Sequence, residues 1–571
     1  INIIVKLYIS LLIICSPYIG YLNLGIFEKS LTVCWVLLSS CLIFIYALLC
    51  SNNKAWRFSK IDLWIGCLGL YELIRVLFGE DINSIFFYEC ISLGYIYILC
   101  RIVNCSYVIT LSLIVSGLIQ STLVLLQHAF VLEGNHSLFR MTGSFFNPGP
   151  CGIFLAGVFV LAVAMMKKGY RKVGINLMFV RYVAACMAFC LTLVAMVPTM
   201  SRAGWIGALA GVMLLYRKEI AGRIRISRRW VIGGGVMGLM IVLTLFYLLK
   251  KDSANGRLFI WQNTIAAYSK APLFGVGIDG FERAYAEAQH DYFMKENALE
   301  QDNRYTELAG VVESAFNEPL ALFLLLGATG GILAAIVLFF KLRRLTAYGC
   351  VAVSLLVASL FSYTFYIPSI AILFLFAVAQ LPDRKIGTAR YANVLMFGMM
   401  GVVALFFDFR EYGHREAYRE WKNNAVYYTG GDYQSIVEEY GKLYPVLKND
   451  FKFLFEYGHS LHKVGRYEES NVILKQGTRH SADPMFWNIT GNNYLALKQY
   501  DQGVAAYLRA YYTCPNRVYP LYLLTKLEGE RGDTTMMNYY GRILLEKHPK
   551  VSSLAVDEMK FEIRKMLDVE P

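Results

Sequence analysis

Charge is scarce in this sequence. Asp, Glu, Lys and Arg supply 17% of its 571 residues while 56% are hydrophobic, against about 25% charged in ordinary soluble domains. That balance argues against a soluble globular protein and excludes a disordered, collagen-like or disulfide-scaffold chain. Cysteine pairs of the CxxC kind are missing, and no His/Cys spacing matches a zinc site. Twelve of the 13 cysteines, Cys15 to Cys350, lie in or beside apolar runs. Cys186 and Cys190, one turn apart, read as small packing residues. No metal and no cofactor is expected. What is in excess is positive charge, +13 overall, and its placement decides whether it marks nucleic acid, anionic lipid or something else.

Long apolar runs recur near 3–22, 31–50, 61–78, 82–100, 107–127, 150–166, 180–198, 203–216, 230–249, 315–340, 347–363, 366–381 and 391–407. Each approaches the ~20 residues that cross a hydrocarbon core. With no water there to satisfy backbone groups, helices are the expected form. The first run lacks an evident cleavage site and reads as a retained span. The expected fold is therefore all-α: a polytopic bundle of about 12–13 transmembrane helices over 1–410, followed by a soluble domain over 411–571.

Basic residues sort by side. With a cytoplasmic N-terminus, the inside loops 51–60, 101–106, 167–181, 217–229, 341–346 and 383–390 carry +19 in total, as the positive-inside rule requires. The long segment 250–313, with 7 basic and 10 acidic residues, then faces outward, as does everything after 410. The basic excess is a topology signal, and no nucleic-acid partner is expected. The predicted setting is a bacterial inner membrane, with the long loop and the C-terminal domain in the periplasm.

Beyond 411 the apolar runs stop and 21 basic residues balance 21 acidic ones. Gly431-Asp432-Tyr433, Gly465-Arg466-Tyr467, Lys498-Gln499-Tyr500 and Gly532-Asp533-Thr534 recur at intervals of 34, 33 and 34. That period predicts an α-solenoid of tetratricopeptide-like helix pairs, with a concave surface for a protein partner.

The residues with chemical potential gather at the outward membrane edge. Arg140-Met141-Thr142-Gly143-Ser144-Phe145-Phe146-Asn147-Pro148 leads into a span whose free first-turn N–H groups, with Arg140 near, suit an anion. A plain loop-to-helix start is the other reading. Ser201-Arg202 opens a second span. Arg202 either snorkels to headgroups or acts, since an arginine at such a position is costly. Within the long loop stand Gly256-Arg257-Leu258-Phe259-Ile260-Trp261 and Pro272-Leu273-Phe274-Gly275-Val276-Gly277. The loop closes on Glu313-Ser314-Ala315-Phe316-Asn317-Glu318, ahead of Gly327-Ala328-Thr329-Gly330-Gly331. The glycines are no dinucleotide fingerprint, because no alternating strands and helices surround them.

In this order and topology the motifs resemble those of the O-antigen ligase/polymerase superfamily, multispanning glycosyltransferases acting on polyprenyl-diphosphate-linked glycans. The resemblance covers about 140–335 in motifs. It implies a lipid-linked glycan donor, a bilayer setting, and an acceptor that is a lipid A core, another glycan or a protein hydroxyl. Ligase-like transfer is the leading expectation, protein O-oligosaccharyl transfer or polymerisation the alternative. An inert scaffold or transporter with a docking domain is a second alternative.

The resemblance assigns Arg202 and Arg257 to the diphosphate, where a guanidinium makes bidentate, permanently charged contacts. Arg140, Asn147, Asn317 and Glu313 are expected to bind substrate. The family's usual histidine before Asn-Glu is here Phe316, which cannot take a proton. Glu318 is the expected replacement base, with Glu313 next and His290, in the long loop, a distant third.

Overall fold

The computed structural model describes residues 2–18, 56–77, six positions between 93 and 101, 106–167, 177–223, 251–278, 280–300, 304–342, 345–382, 385–389, 416–547 and 553–568. The expected spans at 31–50, 230–249 and 391–407, and most of 82–100, lie outside the described residues.

The protein is an all-α membrane protein. In the membrane region the helices are α1 Asn2–Cys15, α2 Lys60–Leu77, α3 Ser106–His128, α4 Pro148–Lys167, α5 Leu177–Thr199, α6 Arg202–Leu215 and α7 Arg217–Arg223. The long loop forms α8 Lys251–Lys270 and α9 Phe281–Lys295, followed by α10 Glu318–Leu342, α11 Ala347–Ser359 and α12 Pro368–Ala379. Among the described residues four helices, at Ser106–His128, Pro148–Lys167, Phe179–Thr199 and Glu318–Phe339, are long and apolar enough to cross a membrane. Helix α4 is apolar all round and buried on nearly all sides, the pattern of a central helix. It packs against α3, α5, α6, α11 and α12. Small residues allow close crossing: a Cβ on Gly204 would meet the Gly152 carbonyl oxygen at 2.6 Å, and one on Gly207 the Ser354 oxygen at 2.5 Å.

A short ribbon and two engaged basic side chains mark one end of the bundle. A short antiparallel ribbon pairs Trp56–Ser59 with Lys385–Ala389, joining loops 51–60 and 383–390 across the chain. Beside it Arg101 grips Asp62 through Nε and Nη2, both at 3.0 Å, with Tyr97 donating to the same carboxylate at 2.7 Å. Lys167 donates to the Leu215 carbonyl at 2.6 Å, the snorkelling geometry of a span end.

The other end carries the long loop and the C-terminal helices. After α13 over 416–430 these run as α14 Tyr433–Leu447, α15 Phe451–Lys463, α16 Tyr467–Gly477, α17 Met485–Ala496, α18 Tyr500–Thr513, α19 Tyr519–Arg531, α20 Thr534–Glu546 and α21 Leu554–Met566. Consecutive helices from α14 to α21 pack on one another. The sequence period is visible in the backbone: Gly431, Gly465, Lys498 and Gly532 all adopt positive φ, between 58° and 85°, where a helix ends and the chain reverses.

This domain sits directly on the long loop. Gln289 of α9 donates to the carbonyls of Gly310 (3.1 Å) and Thr513 (2.6 Å). Tyr511 donates to the Ala298 carbonyl at 2.9 Å and Asn516 to the Ala309 carbonyl at 2.7 Å. Tyr512 packs into the loop's own apolar cluster of Phe259, Phe293, Ala298 and Ala309.

Candidate functional site

The start of α4 and the start of α6 meet backbone to backbone. A Cβ on Gly152 would lie 2.3 Å from that of Ser201. The Ser201 hydroxyl donates to the Gly149 carbonyl at 2.9 Å and accepts from the Gly204 N–H at 3.3 Å, capping α6. Arg202 is the first residue of α6. Its Nη2 donates to the Ser253 hydroxyl at 3.3 Å, reaching the start of α8.

Helix α8 presents Arg257 and Trp261 one turn apart, hence on one face. The Trp261 indole donates to the Ala315 carbonyl at 3.0 Å. Arg257 donates from Nη1 to the Phe361 carbonyl at 2.7 Å and lies 5.4 Å over the Phe316 ring. The Gly-Arg-xxx-Trp spacing thus clamps the end of the long loop onto the turn between α11 and α12. Burial first, and the charge of Arg202 second, pull the Arg257 guanidinium below its ordinary pKa. It remains protonated. Among the described residues no carboxylate lies within ion-pair distance of Arg257. Two like charges within electrostatic reach, one of them partly buried and without a carboxylate partner, make a site that gains from an anion.

Phe316 stands at φ +51°, a conformation costly for a bulky side chain. Its ring meets Tyr363 edge-on, with centroids 5.2 Å apart. Tyr363 thereby joins the group without any sequence motif to announce it. Burial raises the Tyr363 phenol above its usual pKa, while the Arg257 charge pulls it down and Glu313 pushes it up. Glu313 itself is exposed.

Glu318 opens α10, as expected, but its carboxylate turns to a third element. Its Oε1 accepts from the N–H groups of Phe365 (2.8 Å) and Tyr366 (3.4 Å). Asn317 accepts from the Leu320 N–H at 3.1 Å, an N-terminal cap on the same helix. Asn147 does the same for α4, accepting from the Gly149 N–H at 2.9 Å. Arg140 donates to the Gln127 carbonyl at 2.8 Å and stacks 3.5 Å over the Phe130 ring. The structure thus brings together Arg202, Arg257, Phe316, Glu318 and Glu313 near Tyr363. Arg140, Asn147 and Asn317 are engaged in holding their own loops and helix starts. His290 faces the C-terminal domain, with Nδ1 at 3.1 Å from Asp291 and 3.2 Å from Arg509.

The glycine motifs have a common purpose. Helix α10 breaks at Gly327 (φ 68°, ψ −175°), and the segment 272–277 lies in the break. Val276 and Gly277 donate to the Leu324 and Leu325 carbonyls at 2.9 and 3.1 Å, and Ala328 donates back to Pro272 at 2.8 Å. Tyr71 and Arg75 of α2 satisfy the Leu326 and Leu325 carbonyls at 2.9 and 3.0 Å. An irregular backbone in an apolar helix is tolerable only when protein groups complete its hydrogen bonds, and these do.

No curated protein matches the chain. Residues 187–339 match the family model described as O-Antigen ligase, a stretch that contains Arg202, Arg257, Phe316 and Glu318 and stops short of Tyr363. That stretch, on a bundle with helices long enough to cross a membrane, is thus similar to O-antigen ligases.

Proposed function

We propose that the chain transfers a glycan from a polyprenyl-diphosphate carrier to an acceptor on the outward face, in the manner of an O-antigen ligase. The observation that carries this reading is the meeting of Arg202 and Arg257, from two different helices, at one end of the bundle. Breaking the bond from sugar carbon to phosphate oxygen places growing negative charge on the diphosphate. Fixed guanidinium groups in a partly dry site stabilise that charge without reorganising. The wall of Phe316 and the Phe361 carbonyl hold Arg257 in place before the substrate arrives.

Glu318 takes a holding role in this reading in place of the base expected from the sequence, because its Oε1 is committed to the turn 365–366. The periplasm is the side we assign to this end, from the distribution of Lys and Arg. The C-terminal helices, with their period near 34, are read as tetratricopeptide-like repeats that dock a protein acceptor or assembly partner, alongside lipid A core and glycan as acceptor classes. Protein O-oligosaccharyl transfer is the reading this docking domain favours next.

The test is transfer from a purified lipid-linked saccharide to lipid A core, glycan and protein acceptors by the intact chain. Product with one acceptor class identifies the branch. Absence of product with all three overturns the reading in favour of a scaffold.

A further inference from the structure

The site as described stabilises a leaving group but leaves the acceptor proton without a carrier. The position before Asn317 is Phe316, and Glu318 is tied to backbone N–H groups. We propose that Tyr363, on the turn between α11 and α12, is a catalytic residue that relays the acceptor hydroxyl's proton to the departing diphosphate. The inference rests on the glycan-transfer reading above and deepens it.

Three hydrogen bonds fix the turn that carries Tyr363. Arg257 donates to the Phe361 carbonyl on one side, and the N–H groups of Phe365 and Tyr366 donate to Glu318 on the other. The phenol ring is wedged edge-on against Phe316, which also underlies the Arg257 guanidinium. The Arg257 charge favours ionisation of the Tyr363 phenol, and Tyr363 in turn favours the charged guanidinium. Tyr363 is half-buried. The neighbouring Thr364 hydroxyl is fully buried without a hydrogen-bond partner in the described structure, so Tyr363 is the more exposed of these two adjacent hydroxyl side chains.

The chemistry balances without a strong base. The acceptor oxygen forms a bond to the sugar's anomeric carbon as the bond from that carbon to the phosphate oxygen breaks. The electron pair of the broken bond stays on the diphosphate, beside Arg202 and Arg257. The acceptor's proton moves to the phenol oxygen while the phenol's own proton moves to the diphosphate, so Tyr363 ends as it began. A phenol kept neutral suits this relay. Burial pushes its pKa upward, which disfavours a standing phenolate and leaves the O–H in place to donate.

Phenylalanine at 363 keeps the ring and its contact with Phe316 but removes the hydroxyl. In the intact chain, with lipid-linked saccharide donor, Tyr363→Phe is expected to lower kcat about 100-fold, the scale of positioned proton transfer. Its donor KM should stay within about threefold and its thermal midpoint unchanged. Tyr363→His restores a proton-carrying group. Its kcat should exceed that of the phenylalanine variant and rise with pH through the imidazole range near ~6.5, a limb absent from the wild type. A phenylalanine variant within threefold of wild-type kcat, or a histidine variant no faster than it, overturns the relay while the transferase reading stands. A wild-type chain that transfers to no acceptor overturns both.

Discussion

The carboxylate of Glu318 accepts a hydrogen bond from the backbone N–H of Phe365 at 2.8 Å, joining the start of α10 to a turn 47 residues further on. The same turn is held from its other side by Arg257 through the Phe361 carbonyl. One short segment is therefore gripped by the long loop and by the following span, and it carries the aromatic ring facing Phe316.

Glu318 acts here as an acceptor of N–H groups, a role a neutral amide oxygen can also fill. Glu318→Gln is expected to keep transfer within about tenfold of wild type. Glu318→Ala removes the acceptor of the part-buried Phe365 N–H, at a cost of about 1 kcal/mol, and should lower both stability and transfer. Steady-state kinetics beside thermal melts of both variants separate the roles. A glutamine variant as inactive as the alanine one would restore Glu318 as the base.

The break in α10 demands glycine at 327. Its φ is +68°, and a Cβ there would meet the Leu273 carbonyl oxygen at 2.2 Å. Gly327→Ala should destabilise the protein by about 3 kcal/mol. Gly256→Ala is the contrast: it stands in α8 with nothing within 4 Å of an added Cβ. There alanine should stabilise by roughly 0.5–1 kcal/mol through helix propensity. Melting temperatures of the two variants in detergent are the check.

The C-terminal helices should lose stability in acid through His459. Its Nδ1 lies 2.9 Å from the Tyr428 hydroxyl, and burial, with help from Lys463 and His462, pushes its pKa down to about 4. The unfolded imidazole titrates near ~6.5, so the unfolded chain binds more protons between these values. The contribution is whole above the unfolded value and is lost as pH falls toward the folded one. Because the ring is partly exposed, the loss should be about 1–2 kcal/mol. Hydrogen exchange of α15 followed from pH 7 to 4 should show it, and His459→Gln should flatten the slope.

Gln289 links the long loop to the C-terminal domain through the Gly310 and Thr513 carbonyls. Gln289→Ala should cost about 1–3 kcal/mol and open the loop to protease. Because α9 packs on α8, which carries Arg257, transfer should fall in parallel. Limited proteolysis across 281–310 reads the first effect. An unchanged digestion pattern would show the two regions to be independent.

Periodicity made the helices legible. Among the described residues the apolar runs marked helices, whereas nothing in the sequence pointed to the ribbon that pairs Trp56–Ser59 with Lys385–Ala389. The resemblance gave Arg202 and Arg257 one role, and in the structure the charge of Arg202 acts on Arg257. What stayed hidden was tertiary. Nothing near Tyr363 in sequence points to Phe316, 47 positions earlier, because their meeting depends on how α10 and α11 pack. Likewise Gly275 and Gly327 read as two separate glycine motifs, although each is glycine because the other's backbone passes against it. Nor does sequence show that Arg140 donates to the Gln127 carbonyl or that Asn147 accepts from the Gly149 N–H.

The central claim is that Arg202 and Arg257 together hold the departing diphosphate. The direct measurement is single-turnover transfer from a lipid-linked saccharide by wild type, Arg202→Ala, Arg257→Ala and the double variant. Each single variant should lose about 100–1000-fold in rate, and the double variant should lose less than the product of the two, because both act on one leaving group. Unchanged rates in both single variants, in folded protein, would contradict the claim.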